Sequence, residues 1–218
     1  MKVMTKPGLN PFYVLSMAAL MNLLTPFKLC MIAGSSWSFF TLNQCLTPVI
    51  GFFIGTPQAI FVFLSKTLIT IFVGSYGLSA ALLHIPTLFG TLYITTQSRT
   101  IKCLIPLTCI LLFVIHPVGA TVAAYTLYWV PPVLISCMSR RSIFLQALAS
   151  TLTTHAVGTI FWLYMHSTHT LFWTQLLSVV WIERLLFALS MTAAYYAICL
   201  IQHHVSASTP VRAREIVQ

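Results

Sequence analysis

The feature that most limits how this chain can fold is a long apolar run, residues 176–201, whose only charged residues are Glu183 and Arg184. A charge in the hydrocarbon core of a bilayer costs several kcal/mol, with estimates from about 3 upward. A chain that keeps two charges at that depth must bury them against partners or use them. Only 6% of the 218 residues are charged and 58% are hydrophobic, whereas soluble domains carry about 25% charged residues. We therefore predict an integral membrane protein in contact with the lipid bilayer.

Apolar segments recur along the whole chain. A helical span needs about 20 apolar residues, and the candidates are 12–34, 46–73, 78–96, 101–116, 117–138, 144–165 and 176–201. We predict an all-α fold, a polytopic transmembrane helical bundle of about six spans, with seven as the alternative. Six spans require two early candidates to merge or one to be re-entrant. Gly51, Gly55 and Pro57 interrupt the second candidate, and a Pro/Gly turn follows His116.

The basic residues lie between the apolar segments, as Lys2 and Lys6, Arg99 and Lys102, Arg140 and Arg141, and Arg212 and Arg214. Such clusters are typical of cytoplasmic loops, and six spans with both termini inside satisfy all of them. We predict a single integral membrane domain over 1–218, with a cytoplasmic segment 1–11 and a basic cytoplasmic tail 202–218. The expected location is the cell (inner) membrane. The net charge of +9 does not gather on one amphipathic stretch, so we expect no nucleic-acid partner.

The residue types needed for most intramembrane catalysis are missing. The chain has no Asp, its only acidic residues are Glu183 and Glu215, and no HExxH, GxSxG or Walker motif occurs. Metalloprotease, serine hydrolase and ATPase chemistry therefore lack their side chains. The six cysteines form no CxxC and no Cys/His ligand spacing. We predict no enzyme activity, no catalytic residue, no metal and no cofactor.

Polar and aromatic residues at helical spacing mark faces that we expect to turn inward, because unsatisfied polar groups in hydrocarbon are costly. One such stripe, which we interpret as helix packing, contains His84, Thr87, Thr91 and Thr95. A second stripe contains Thr151, His155, Thr159 and Trp162, and an aromatic face contains Tyr125, Tyr128 and Trp129. The aromatic face fits an interfacial belt or a pocket wall equally well.

The second stripe suggests a ligand site. A histidine, a tryptophan and a carboxylate that converge in a membrane interior can hold a small planar heteroaromatic molecule by stacking and hydrogen bonds. Gly158 would allow close backbone approach there. We predict ligand contacts at His155, Trp162 and Glu183, with His116, Tyr125 and Trp129 as further candidates.

Glu183 and Arg184 have a second interpretation. A buried structural pair, either His155 with Glu183 or Arg184 with Glu183, would also explain the charges. Neighbouring residues point about 100° apart on a helix, so we expect Glu183 and Arg184 to serve different faces. We assign Arg184 to a structural ion pair or a partner contact.

Five local stretches resemble the substrate-binding S components of energy-coupling-factor vitamin transporters: His116-Pro117-Val118-Gly119 followed by Tyr128-Trp129-Val130-Pro131, His155-Ala156-Val157-Gly158 with Trp162-Leu163-Tyr164, and Glu183-Arg184-Leu185-Leu186-Phe187-Ala188. The resemblance covers the C-terminal half. It implies a small bundle of about six spans that captures a vitamin-like molecule and uses a transmembrane coupling subunit and separate ATPases. The family's Ala-x-x-x-Ala contact motif is not evident in the first span.

We therefore predict a membrane-embedded solute uptake protein that binds a small vitamin-like nutrient between its helices. Two alternatives remain open. One is a non-transporting membrane scaffold or assembly subunit, in which Glu183 and Arg184 pair with a partner helix. The other is a secondary transporter coupled to protons through Glu183 and the histidines, with broken segments near Pro57 and Pro117.

Overall fold

The computed structural model describes residues 28–31, 39–41, 47–73 and 84–208, which are helical apart from one short strand pair and the connecting turns. Strand β1 (Lys28–Met31) pairs antiparallel with β2 (Phe39–Thr41). The prediction of a helical span over 12–34 is therefore wrong at residues 28–31, and the rest of that span lies outside the described residues, as does the segment 1–11. Hydropathy reports how apolar a segment is, and a short apolar run does not separate strand from helix.

The helices then follow in chain order as α1 (Thr56–Val73), α2 (Ile85–Thr95), α3 (Arg99–Ile115), α4 (Pro117–Thr121), a 3-10 helix (Ala123–Trp129), α5 (Val130–Cys137), α6 (Ile143–Met165), α7 (Thr170–Leu176) and α8 (Val180–Ser208). The helical class is thus confirmed for the described residues. The predicted spans 144–165 and 176–201 correspond to α6 and α8. Helix α8 continues to Ser208, so the segment predicted as a tail from residue 202 begins within this helix.

Local sequence signals explain where several helices begin. The hydroxyls of Ser98 and Ser142 accept hydrogen bonds from the backbone N–H groups of Ile101 and Leu145, at 3.4 and 3.2 Å, and so cap α3 and α6. Such caps satisfy backbone donors that have no partner within the first turn. Helices α2, α4 and α5 instead carry proline in their first positions, where the missing N–H is not needed.

The segment 117–138, predicted as one helical span, is not a single α-helix, because the structure divides it into α4, the 3-10 helix and α5. Two features explain the breaks. Val122 has φ −127° and ψ 35°, which is not helical. The consecutive Pro131 and Pro132 have no N–H to donate to the carbonyls four residues earlier, so a regular α-helix cannot pass through this point.

Helix α6 lies at the centre of the bundle and contacts α2, α3, α5 and α8, with its most extensive contact against α2. At that contact the Ser150 hydroxyl donates a 2.8 Å hydrogen bond to the Gly90 carbonyl. Thr87, Thr91 and Thr95 on α2 are all buried. The packing interpretation of the threonine stripe is therefore confirmed.

Within the described ranges, α6 and the part of α8 from Val180 to Gln202 are long and apolar enough to cross a membrane. The shorter apolar helices are Thr56–Ser65, Ile85–Thr95 and Ala123–Cys137. Large apolar side chains remain exposed on several of the helices, among them Phe61, Leu64, Leu68, Leu104, Leu107, Leu111, Leu186 and Leu189. Exposed apolar surface of this extent is typical of a surface that meets lipid or a partner.

The start of α3, the end of α5 and the start of α6 meet at one end of the bundle. The Cys103 sulfur lies 2.8 Å from the Ser136 hydroxyl across this junction. We call the cluster formed by Arg99, Lys102, Arg140 and Arg141 the basic end. Arg99 and Lys102 were expected in a loop, but both belong to the first turn of α3. Because Ser98 caps α3, the helix begins at Arg99, and both basic residues lie within it.

Candidate functional site

The aromatic side chains of the 3-10 helix build the core of the bundle. Tyr125 and Trp129 are fully buried. The Phe113 ring stacks on Tyr125 at 5.6 Å between centroids and meets Trp129 edge-on at 5.3 Å, and Trp173 approaches Tyr125 at 5.4 Å. We call Phe113, Tyr125, Trp129 and Trp173 the aromatic cluster. Edge-on and offset ring pairs of this kind stabilise a core beyond simple burial.

One of the predicted ligand residues of α6, His155, is a hydrogen-bond partner of the aromatic cluster. The Tyr125 hydroxyl lies 2.9 Å from Nε2 of His155, whose ring is partly buried. The positive charge of Arg184 lies close enough to act on both groups. The structure therefore brings together Tyr125, Trp129 and His155, but as packed and hydrogen-bonded neighbours.

Trp162 and His116 lie nearer the opposite end of α6 from the basic end. The Trp162 ring packs on His166 at 4.2 Å between centroids, and the His116 ring meets Tyr164 at 5.0 Å. His116 also caps α4, since its Nδ1 accepts a 3.2 Å hydrogen bond from the backbone N–H of Val118. Seven residues of helix separate Trp162 from His155 by about 10 Å along the axis. The predicted convergence of Trp162 with His155 is therefore not seen.

The turn that holds His116 depends on Gly119. A Cβ atom on Gly119 would collide with the carbonyl oxygen of Phe113, because the chain folds back closely against the end of α3. The chain thus turns after His116 as expected, and this turn connects α3 to α4 and to the 3-10 helix that carries Tyr125 and Trp129.

Glu183 and Arg184 contact each other. An Arg184 guanidinium nitrogen lies 3.4 Å from a Glu183 carboxylate oxygen, and their side chains are 5% and 16% exposed respectively. The guanidinium also lies over the Phe187 ring, 4.7 Å from its centroid. The two residues have different surroundings, because Arg184 lines the groove described next and Glu183 does not. The long Arg184 side chain nevertheless reaches its neighbour. Of the two structural pairs considered, the structure shows Arg184 with Glu183.

A lateral groove of about 200 Å³ opens between the 3-10 helix, α5, α6 and α8. Its walls are apolar except for Tyr128 and Arg184, and they consist of Leu127, Tyr128, Pro131, Leu148, Leu152, Trp181, Arg184 and Leu185. The Tyr128 hydroxyl donates to the Leu177 carbonyl. Its ring meets Tyr125 at 5.7 Å, so the groove and the aromatic cluster share a wall.

The sequence interpretation missed most of the groove. None of the six predicted ligand residues lines it. The missed residues recur at spacings of three or four, as in Trp181 with Arg184 and Leu148 with Leu152, but any buried helix face gives this signal. Arg184 was recognised as unusual and was assigned a structural role. In the structure it holds Glu183 and also faces the groove.

Among the described residues, no three His, Cys, Asp or Glu side chains come together as metal ligands would. Comparison of the chain with family models, with curated proteins and with solved structures gives no match. The resemblance to vitamin-transporter S components therefore stays a prediction.

Proposed function

We propose that this chain is a multi-pass membrane protein that binds a small molecule in the lateral groove and takes part in its uptake. The supporting observation is the groove itself, a space of about 200 Å³ with apolar walls and a single cationic side chain, Arg184. Pockets of this composition bury the apolar body of a ligand and orient it through a few polar groups. The guanidinium suits a carboxylate or phosphate. The proposed substrate is a vitamin-like nutrient with an apolar body and one anionic group.

The arrangement of helices supports about six crossings. Gly51 lies against Thr95 at the end of α2, so α1 starts near the basic end and α2 returns to it. Helix α3, the broken segment 117–137, α6 and α8 then alternate in direction. The four residues of the basic end lie together, as expected for a cytoplasmic face. In this arrangement α8 carries the C-terminus to the cytoplasmic side of the cell membrane.

The proposed uptake needs an energy source, and we assign that source to a partner protein. The sequence has no Walker motif, and the proposed uptake therefore uses a coupling subunit with separate ATPases, as the resemblance implies. The scaffold alternative required Glu183 and Arg184 to pair with another protein, whereas they contact each other. The proton-coupled alternative can be distinguished from ATP-driven uptake by experiment. Proton-coupled uptake would stop when an uncoupler is added at constant ATP, whereas ATP-driven uptake would continue.

The first experiment is a thermal-shift screen of the purified full chain in detergent against vitamins, nucleobases and carboxylated metabolites. A ligand that binds only the folded state stabilises it by about 2.7 kcal/mol at a hundred times its Kd. We expect the hits to carry an anionic group.

The double variant Glu183→Gln with Arg184→Met tests the site. It removes both charges, so no unpaired buried charge remains, and we expect it to fold and to lose the ligand shift. Trp162→Ala is the matched control from the site that the sequence predicted. A shift that survives the double variant but disappears in Trp162→Ala would move the site away from the groove. A flat screen of well-folded protein that copurifies with a partner would support the scaffold instead.

A further inference from the structure

The basic end holds a buried cation. Lys102 is only 3% exposed, although it lies in the first turn of α3. Its ammonium group lies 5.1 Å from the centroid of the Tyr93 ring. An ammonium over a ring is attracted by the electron-rich ring face, but the ring carries no net charge. The positive charge of Lys102 is thus held in place without being neutralised by Tyr93.

A second cation adds to the positive charge around Lys102. Arg141, between α5 and α6, lies close enough for its charge to act on Lys102 and on Tyr93. Like charges in a partly desolvated environment repel, and a buried charge without a counter-ion is strongly destabilising. Arg99 and Arg140 lie exposed at the same end and add to the positive potential.

No carboxylate in the described ranges can neutralise this pair. Glu183 is the only acidic residue there, and it is held by Arg184 on α8. Arg184 lines the groove beside Leu148 and Leu152, on the part of α6 that follows its first turn. The described residues therefore supply no counter-charge for Lys102 and Arg141.

The helix termini favour an anion at the same place. Helices α3 and α6, of 17 and 23 residues, both begin at the basic end. Their first N–H groups and their macrodipoles carry positive partial charge there. The Tyr93 hydroxyl donates a 2.6 Å hydrogen bond to the Pro132 carbonyl, which fixes the ring beneath the ammonium group. Together these groups place positive charge and helix N-termini at one end of the bundle.

We propose that the basic end binds a phosphate group, with Lys102 and Arg141 as its principal contacts and Arg99 and Arg140 at its rim. A phosphate accepts several charge-assisted hydrogen bonds and supplies the missing negative charge. The site is separate from the lateral groove and does not depend on the proposed uptake function. The same chemistry is offered by the headgroup of an anionic phospholipid and by free phosphate.

The test measures binding of two probes to the purified full chain. One probe is phosphatidylglycerol, compared with phosphatidylcholine and counted by native mass spectrometry in detergent. The other probe is inorganic phosphate, followed by thermal shift. Lys102→Met keeps an apolar stem of similar length, and Arg141→Gln removes the second charge. The matched control is Lys66→Met, which removes one positive charge from α1.

We expect Lys102→Met and Arg141→Gln each to weaken phosphatidylglycerol binding about fivefold, while Lys66→Met leaves it unchanged. Binding of phosphatidylglycerol alone assigns the site to a lipid headgroup, and binding of inorganic phosphate as well assigns it to free phosphate. Melting without lipid shows whether each variant folds, and we expect Lys102→Met to be no less stable than the parent chain. Equal affinity of all three variants and the parent chain for both probes would overturn the proposal.

Discussion

The aromatic cluster and the lateral groove share a wall, yet one is filled and the other is open. Tyr125 and Trp129 are fully buried, whereas Tyr128 on the same 3-10 helix borders a space of about 200 Å³. The difference shows that one short helix packs the core with two of its residues and lines the groove with two others, Leu127 and Tyr128. Changes in the cluster should therefore alter stability, and changes in the groove should alter ligand binding.

The largest expected effect is that of Trp129→Ala. The side chain is fully buried against Phe113 and Tyr125, and such truncations cost about 3–5 kcal/mol. Thermal unfolding in detergent measures the loss. Trp129→Phe is the control, because it keeps a ring and removes an indole N–H that has no acceptor among the described residues. Equal losses for the two variants would mean that ring packing is not what stabilises the cluster.

The next effect is expected at Gly90→Ala, on the face of α2 that packs against α6. The added Cβ would clash with the Thr154 hydroxyl and would lie 3.1 Å from the Ser150 carbonyl oxygen. Overpacking of this kind costs about 1–3 kcal/mol. Gly158→Ala is the matched control, since its Cβ would meet only Pro86, at 3.5 Å. We expect that variant to be neutral or slightly stabilised, and a greater loss there than at Gly90 would contradict the packing described.

A smaller effect is expected from Tyr125→Phe. The change keeps the ring and removes the hydroxyl that contacts Nε2 of His155. A typical hydrogen bond contributes about 0.5–1.5 kcal/mol net. Tyr164→Phe removes an exposed hydroxyl that donates to the Leu112 carbonyl, and we expect a lower cost. If unfolding shows the reverse order, the His155 contact is not important to the cluster.

The smallest effect on stability is expected from Trp181→Ala in the groove. The side chain is 50% exposed, and in the proposed membrane arrangement that half already faces lipid. We therefore expect a stability change below about 1 kcal/mol, together with weaker binding of any ligand found in the screen. Isothermal titration of the parent chain and the variant separates the two quantities. Unchanged affinity would remove Trp181 from the binding wall.

Part of this fold could be predicted from sequence because hydropathy and helical spacing report burial. The run containing Glu183 and the stripe containing His155 both lie on helices, α8 and α6. The threonine stripe of α2 packs as expected for small polar residues between helices. Hydropathy cannot report backbone geometry, and so it missed the breaks around Val122 and Pro131 and the strand at Lys28–Met31.

The candidate site was harder to predict, because the spacing of residues along one helix does not show which other element packs against their face. His155 and Trp162 share a face, but His155 hydrogen-bonds to Tyr125 of the 3-10 helix, whereas the Trp162 ring packs on His166. Arg184 reaches Glu183 because its side chain is long and flexible, which ideal helix angles ignore. The groove depends on the relative positions of the 3-10 helix, α5, α6 and α8, and no single segment carries that information.

Helix α8 is longer than a bilayer core is thick. Its apolar part, Val180–Gln202, has 23 residues and spans about 34 Å at 1.5 Å per residue, against about 30 Å of hydrocarbon. In the proposed membrane arrangement, a span of this length tilts or extends slightly beyond the lipid. Because Arg184 lies near the start of α8, the tilt also sets the depth of the groove, which should therefore vary with membrane thickness.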